Sequence, residues 1–397
     1  MANLSKVVLF SSELVNPGGA ERLMVKEAKY LEMKGIKSKI LTFKLNKRAL
    51  FGYENLDVEV INAKNPVSKI LSLRRKLKDF RPDLIISQSY WDSEFLYLAT
   101  LSTKIPYITH IHGTPFWFDN RLDLRKYGII YKKVFNEIRN SLMGHREFIP
   151  TNPKISMKDK IKLNMMAILN YLAVRKSKKI IVLTSQIKWE VKKLYDMDAI
   201  VSRGCLDAEL LSYNPKRDIK KDLGFEDKYI ILSIGRLDLR KRIDVLVKAF
   251  SKLYTRYKDV FLLIGGIGEE EEKLKKLVKD LHIEDRVKFL GFIPDDELFD
   301  YYAACDVFAF PSWTTSGITP YEALALEKKV VWTSEADEPV LTDKHVFVAN
   351  PTVNEFAEAL EEAINTEVKE KIDLSNYTWD KYFERVYKIC EEIINRK

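Results

Sequence analysis

Short apolar runs alternate with stretches of helical period along nearly the whole chain, the pattern of a parallel α/β architecture. The first half predicts strands at Val7–Phe10, Ser38–Thr42, Val58–Ile61, Leu84–Ser87, Pro106–Ile111, Ile180–Leu183 and Ile200–Ser202. Helices fall between them, for example Ala20–Lys34, with Gly35 suited to the left-handed position after its end, and Glu94–Ser102. Residues 113–178 break the rhythm. They predict helices only, Arg125–Leu142 and Met157–Ser177, and read as an insertion. The polar stretch Tyr213–Asp227, around Asn214-Pro215, is the best linker candidate. A second series then predicts strands at Tyr229–Ile234, Val260–Ile264, Val287–Leu290, Val307–Phe310 and Val330–Trp332. Its helices are Ile243–Tyr257, Glu269–Leu281, Glu297–Ala303, Pro320–Leu326 and Val353–Thr366, and an amphipathic helix near Thr378–Asn395 follows. The expected architecture is two doubly wound domains facing a cleft.

Composition agrees with that size of core. Of 397 residues, 46% are apolar and 11% aromatic, which excludes disordered and low-complexity classes. Three dispersed cysteines, Cys205, Cys305 and Cys390, argue against a disulfide scaffold or a cysteine-built zinc site and for a reducing compartment. The first ten residues lead directly into a strand, with no apolar signal core, and no run is long enough to span a bilayer. Charge is unevenly spread. Residues 1–200 hold 36 Lys and Arg against 19 Asp and Glu, and the window 120–179 alone holds 15 against 4. A basic first half points to an anionic partner, and no aromatic-basic RNA motif is present.

Four segments carry chemistry. After the strand ending at Ile234 come Gly235-Arg236-Leu237-Asp238-Leu239-Arg240-Lys241-Arg242, four cations where α/β sheets bind ligands; the bland alternative is a solvated basic loop. Pro311 to Ala323 follows the strand Val307–Phe310 with small residues, Gly317 and a helix start, an anion cradle of backbone N–H groups. Its Glu322 can accept from ribose hydroxyls, or simply favour the positive helix end. Asn16-Pro17-Gly18-Gly19 opens the first helix without forming G-x-G-x-x-G. Thr109-His110-Ile111-His112-Gly113 ends an apolar strand. Asp196-Met197-Asp198 has the D-x-D spacing of metal-dependent transferases but falls in a turn, where a structural reading is favoured.

In this order and spacing, the segments resemble family-4 retaining glycosyltransferases with the two-domain GT-B fold. Arg203-Gly204-Cys205-Leu206-Asp207, Ile264-Gly265-Gly266-Ile267-Gly268, Phe289-Leu290-Gly291-Phe292 and Tyr321-Glu322-Ala323 extend the match over almost everything but the insertion. The resemblance implies two Rossmann-like domains. Residues 1–212 form the acceptor side with the insertion at about 113–178, residues 213–377 bind the nucleotide sugar, and residues 378–397 cross back to the first domain as a helix. It further implies that Arg236 and Lys241 hold the donor diphosphate in place of a metal and that His112 meets the transferred sugar. Gly18, Gly19, Gly235, Gly317, Ile318 and Thr319 line phosphate and sugar, Phe292 and Ile293 meet the base, and Glu322 binds the ribose. Thr314 stands where the family has its first glutamate, Arg242 where a glycine usually follows the lysine, and Glu335-Ala336-Asp337-Glu338-Pro339 where a glycine-rich loop is usual. The implied activity is metal-independent, retaining hexosyl transfer from a nucleotide-diphosphate sugar to a glycan or lipid-linked acceptor. It needs no cofactor and no nucleic acid, and works in the cytoplasm as a peripheral protein on an anionic membrane face. The alternatives are a sugar-nucleotide-binding protein that has lost catalysis and another GT-B enzyme, such as a sugar-nucleotide epimerase.

Overall fold

A computed structural model describes residues 4–15, 18–103, 105–113, 115, 156–204, 206–312, 317–336 and 338–395. The expected helix Arg125–Leu142 lies outside them. The chain divides into two units: the described residues up to Gly204 together with Trp379–Asn395, and Leu206–Thr378.

The first unit is a seven-stranded parallel sheet of β1 (Lys6–Phe10), β2 (Lys37–Thr42), β3 (Val58–Val60), β4 (Leu84–Ser87), β5 (Tyr107–Ile111), β6 (Ile180–Val182) and β7 (Ile200–Val201). Its order is β3-β2-β1-β4-β5-β6-β7, so the winding reverses between β1 and β4. The central strands β4 and β5 are buried at every residue because helices cover both faces, and they therefore read as continuous apolar runs. The helices are α1 (Gly19–Met33), α2 (Pro66–Phe80), α3 (Asp92–Thr100), α4 (Met157–Lys176) and α5 (Ser185–Tyr195). Their ends follow local chemistry. Gly35, at φ 77°, donates to the Glu32 carbonyl while the Ile36 amide reaches Leu31, closing α1. Asn65 and Ser68 form a reciprocal capping box around Pro66 at the start of α2.

The second unit is a six-stranded parallel sheet of β8 (Tyr229–Ile234), β9 (Val260–Gly265), β10 (Val287–Gly291), β11 (Val307–Phe310), β12 (Lys329–Thr333) and β13 (Val346–Ala349). Its order, β10-β9-β8-β11-β12-β13, reverses between β8 and β11. Helices α6 (Ile219–Leu223), α7 (Ile243–Leu253), α8 (Glu271–Asp280), α9 (Leu298–Ala304), α10 (Ile318–Ala325) and α11 (Val353–Asn365) flank it. One face packs Leu246, Phe250 and Phe356; the other is aromatic, with Tyr302, Phe308, Tyr321 and Trp332.

Three expectations are corrected. Tyr213–Asp227 is packed structure rather than a linker: Ile219 is buried in α6, the Tyr213 hydroxyl donates to Asp300 at 2.8 Å, and Lys220 pairs with Asp306 at 2.8 Å. Tyr213 and Lys220 bind acidic partners 87 and 86 residues away in sequence, which local composition does not reveal. The unit boundary accordingly falls after Gly204 instead of at 212, with Leu206 and Leu210 already in the second core. Strand β13 was not anticipated, being a short edge strand with Val348 exposed.

The last helix, Trp379–Asn395, packs within the first unit through Tyr382, Phe383, Val386 and Cys390. Phe383 lies 5.5 Å from the Tyr30 ring, and the Arg385 guanidinium donates to the Arg203 carbonyl and to Ser202 Oγ. A Cβ on Gly204 would come within 2.7 Å of Tyr382 Cγ. Gly204→Ala is therefore expected to destabilise the first unit by about 1–3 kcal/mol through overpacking. Urea unfolding followed by far-UV circular dichroism checks this, and an unchanged midpoint would refute the tight seating of this helix.

Candidate functional site

Ligands of doubly wound sheets bind beyond the carboxyl ends of the strands where the winding reverses, which in the second unit means β8 and β11. The loops after β8 and β9 are stitched together there. Gly235 and Leu237 amides donate to Gly265 and Ile267 carbonyls at 3.1 and 3.0 Å, and the Glu270 amide returns to Leu237 at 3.0 Å. Gly266 has φ 119°, and a side chain on it would collide with the Gly235 carbonyl. The Gly266 amide also donates to Gly291 at 2.6 Å, which brings Phe292 and Ile293 beside the same loops. Ile293 is buried against Gly265, whereas Phe292 is 68% exposed.

The cations are ordered by one carboxylate. Asp238 is buried, accepts from the Arg240 amide at 3.1 Å, and faces Arg236 Nε at 3.6 Å and Arg240 Nη2 at 3.4 Å. Arg236 remains 62% exposed and can reach a ligand. Lys241 folds back over Gly235, where an added Cβ would sit 3.3 Å from its Cε, and its Nζ lies 5.0 Å from the Phe310 ring centroid. Desolvation pushes its pKa down to about 8; Asp238 opposes this, and Arg240 and Arg236 add to it. Phe310 also meets Gly317, on which an added Cβ would lie 3.0 Å from Phe310 Cε1. Gly317 precedes α10, so Lys241 and the helix start with Ile318 and Thr319 both lie near this ring. Glu322 is the fifth residue of α10, buried, with the Tyr302 hydroxyl donating to Oε2 at 2.9 Å. Thr314 lies outside the described residues.

In the first unit the reversal point collects a second set. Gly18 caps α1, where a side chain would meet Glu21, and exposed Gly19 is its first residue. His112, just past β5, has Nε2 3.1 Å from Gln88 Oε1, and Gln88 Nε2 donates to Glu27 Oε2 at 2.8 Å. Burial pushes Glu27 up to about 8 and His112 down to about 4. His110 is fully buried with Nδ1 3.8 Å from Glu27, and burial lowers its pKa too. Glu27 and Gln88 were missed from sequence. The available signal was a carboxylate on the face of α1 that otherwise buries Leu23, Met24, Ala28 and Leu31. The Asp196 and Asp198 carboxylates pair with Lys192 at 2.7 Å and Lys188 at 3.0 Å, as a surface turn.

Two parallel sheets, each with polar groups gathered where its winding reverses, define an α/β protein of the GT-B fold. The model for Glycosyltransferase Family 4 matches residues 17–204, and that for Glycosyl transferases group 1 matches residues 215–380. The chain belongs to this family of glycosyltransferases. An uncharacterized glycosyltransferase of Methanocaldococcus jannaschii is 28% identical over 256 residues, 57% of this chain and 64% of the relative, so the chain spans less than two thirds of it. A glycosyltransferase structure from Rickettsia africae covers 100% of both chains with a TM-score of 0.74 at 18% identity. Anabaena HepE in complex with UDP covers 99% of this chain and 97% of its own, with a TM-score of 0.66 at 17% identity.

Two departures from the family pattern meet in space. Arg242, left-handed at φ 48°, forms a bidentate pair with Glu335 after β12, at 2.5 and 3.2 Å, both side chains at most 5% exposed. Arg242→Gly alone buries a carboxylate without this partner, at a cost of about 3–5 kcal/mol. The double variant Arg242→Gly/Glu335→Ala is expected to be more stable than the two single losses sum to, by at least about 1 kcal/mol. Denaturant unfolding of the four proteins measures this coupling, and strict additivity would show the pair to be idle.

Proposed function

We propose that this chain transfers a sugar from a nucleotide-diphosphate sugar to an acceptor hydroxyl, with retention and without a metal requirement. The observation that carries this reading is the placement of Lys241 and the start of α10 against the same ring, Phe310, with Arg236 exposed on the same loop as Lys241. A diphosphate there would receive two cations and helix N–H groups. Phe292 and Ile293 would meet the base, and Glu322 the ribose after exchanging the Tyr302 hydroxyl for ribose hydroxyls. A protein of the same fold, Anabaena HepE, is named in complex with UDP, which favours a nucleoside diphosphate as ligand. In the reaction the bond from the anomeric carbon to the diphosphate breaks, and a bond to the acceptor oxygen forms on the same face. The acceptor proton passes to a departing phosphate oxygen. Arg236 and Lys241 stabilise the charge that develops on that group, and His112 is assigned to the transferred sugar.

Arg236→Ala and Lys241→Ala are expected to lower turnover of a sugar nucleotide roughly 10- to 100-fold while leaving the unfolding midpoint nearly unchanged. Lys241 adds a pH signature. Its proton is half lost at about pH 8 in the free protein, and a bound diphosphate restores it. Calorimetry with UDP at pH 9 should therefore show uptake of about one proton, absent at pH 6.5 and absent in Lys241→Met. The same shift makes stability rise as pH increases from about 8 towards 10.5, because the unfolded chain keeps the proton longer. Wild-type turnover in both alanine variants would refute the assignment.

The acceptor is proposed to be lipid-linked, with the protein lying peripherally on an anionic cytoplasmic membrane face. Helix α4 buries Leu163, Ala167, Asn170 and Val174 on one side. On the other it exposes Met157, Ile161, Met165, Ile168 and Leu172, at 73, 56, 66, 44 and 44%. Lys158, Lys160, Lys162 and Lys176 flank that stripe, the composition of a helix that lies in a membrane interface. No helix among the described residues is long and apolar enough to cross a membrane. Phe116-Trp117-Phe118 lies outside the described residues. Sedimentation with anionic vesicles at low salt should carry the protein down, with loss at high salt and in Met165→Glu/Ile168→Glu. Equal partitioning to neutral vesicles, or none to either, would refute the membrane reading alone.

A further inference from the structure

The buried line Glu27–Gln88–His112 in the first unit goes beyond the reading above, resting on it only in taking His112 to touch the sugar. We propose that Glu27 and Gln88 are positioning residues that hold His112 as the neutral Nε2–H tautomer, so that it meets the sugar through Nδ1 as a hydrogen-bond acceptor. Glu27 anchors the line. It lies on the buried face of α1, 2% exposed, with Oε2 2.8 Å from Gln88 Nε2. With its proton on Oε1, the Glu27 carboxyl offers Oε2 as the acceptor, so the near end of the Gln88 amide is its NH2 group. The far end is then the carbonyl oxygen, 3.1 Å from His112 Nε2. Two acceptors cannot bond each other, so that ring nitrogen must carry the hydrogen.

The surroundings keep the ring neutral. His110 stands 5.5 Å from His112, edge to face, and neither of its ring nitrogens nor Glu27 Oε1 has a hydrogen-bond partner among the described residues. The Tyr382 ring of the last helix also lies 6.4 Å from His110, edge to face. A cationic His112 would place charge in this packed environment against burial. A neutral acceptor selects for donor sugars that offer a hydroxyl at the contacted position, and against analogues in which that hydroxyl is absent or methylated.

The test uses the full chain labelled with 15N-histidine. Long-range proton–nitrogen spectra at pH 7 should show His112 protonated at Nε2 alone in the wild type and in Glu27→Gln, which keeps an acceptor facing Gln88. Glu27→Leu and Gln88→Leu should show averaged tautomers. Their kcat for a sugar nucleotide should fall about tenfold with donor KM little changed, and Glu27→Gln should restore it. A wild-type ring protonated at Nδ1, a cationic ring, or an unchanged tautomer in Gln88→Leu overturns the proposal. Wild-type turnover in His112→Ala instead overturns the sugar contact, which the spectra do not address, and removes the kinetic half of the proposal with it.

Discussion

At the carboxyl ends of β8 and β9, two loops pass so closely that Gly266 has no room for a side chain above the Gly235 carbonyl. The rest of the second unit's chemistry depends on that passage. It fixes the backbone from Gly235 to Leu237, and so the point from which Asp238 gathers Arg236 and Arg240. It lets Lys241 lie across Gly235 onto Phe310, and it draws Phe292 and Ile293 alongside through the Gly266 to Gly291 bond. Backbone hydrogen bonds rather than long side chains set the frame of these loops.

Both units place ionisable groups where water does not reach, and each does so differently. In the second unit, Arg242 and Glu335 neutralise each other with two parallel hydrogen bonds, which suits a guanidinium and a carboxylate. In the first, Glu27 answers desolvation by holding its proton up to about pH 8 and binding an amide. The pair anchors the turn after Lys241 to β12. The single carboxyl instead orders a hydrogen-bond line ending at His112. Burying charge rarely adds stability for its own sake, so both placements are better understood as fixing the position of a neighbour.

The order of strands and glycines in the sequence put Arg236, Lys241 and His112 just past strands and Gly317 at a helix start, and the structure has these positions there. This was legible because a strand that ends in Gly235, or a Pro320 in the first turn of a helix, has a local cause in backbone chemistry. Nearly every strand was legible for a related reason, since a buried parallel strand is a continuous apolar run. β13 was the exception, a four-residue edge strand with Val348 exposed.

By itself the sequence determined two parallel sheets, their loops and the family, because apolar period, glycine and proline act over a few residues. Only the tertiary structure decided that Tyr213–Asp227 is packed, that Arg242 meets Glu335 93 residues on, and that Glu27 reaches Gln88 61 residues on. Each is a long-range partnership of a polar group whose solution depends on which strands become neighbours. Strand order is set by the winding of the sheet as a whole, and no local spacing encodes it.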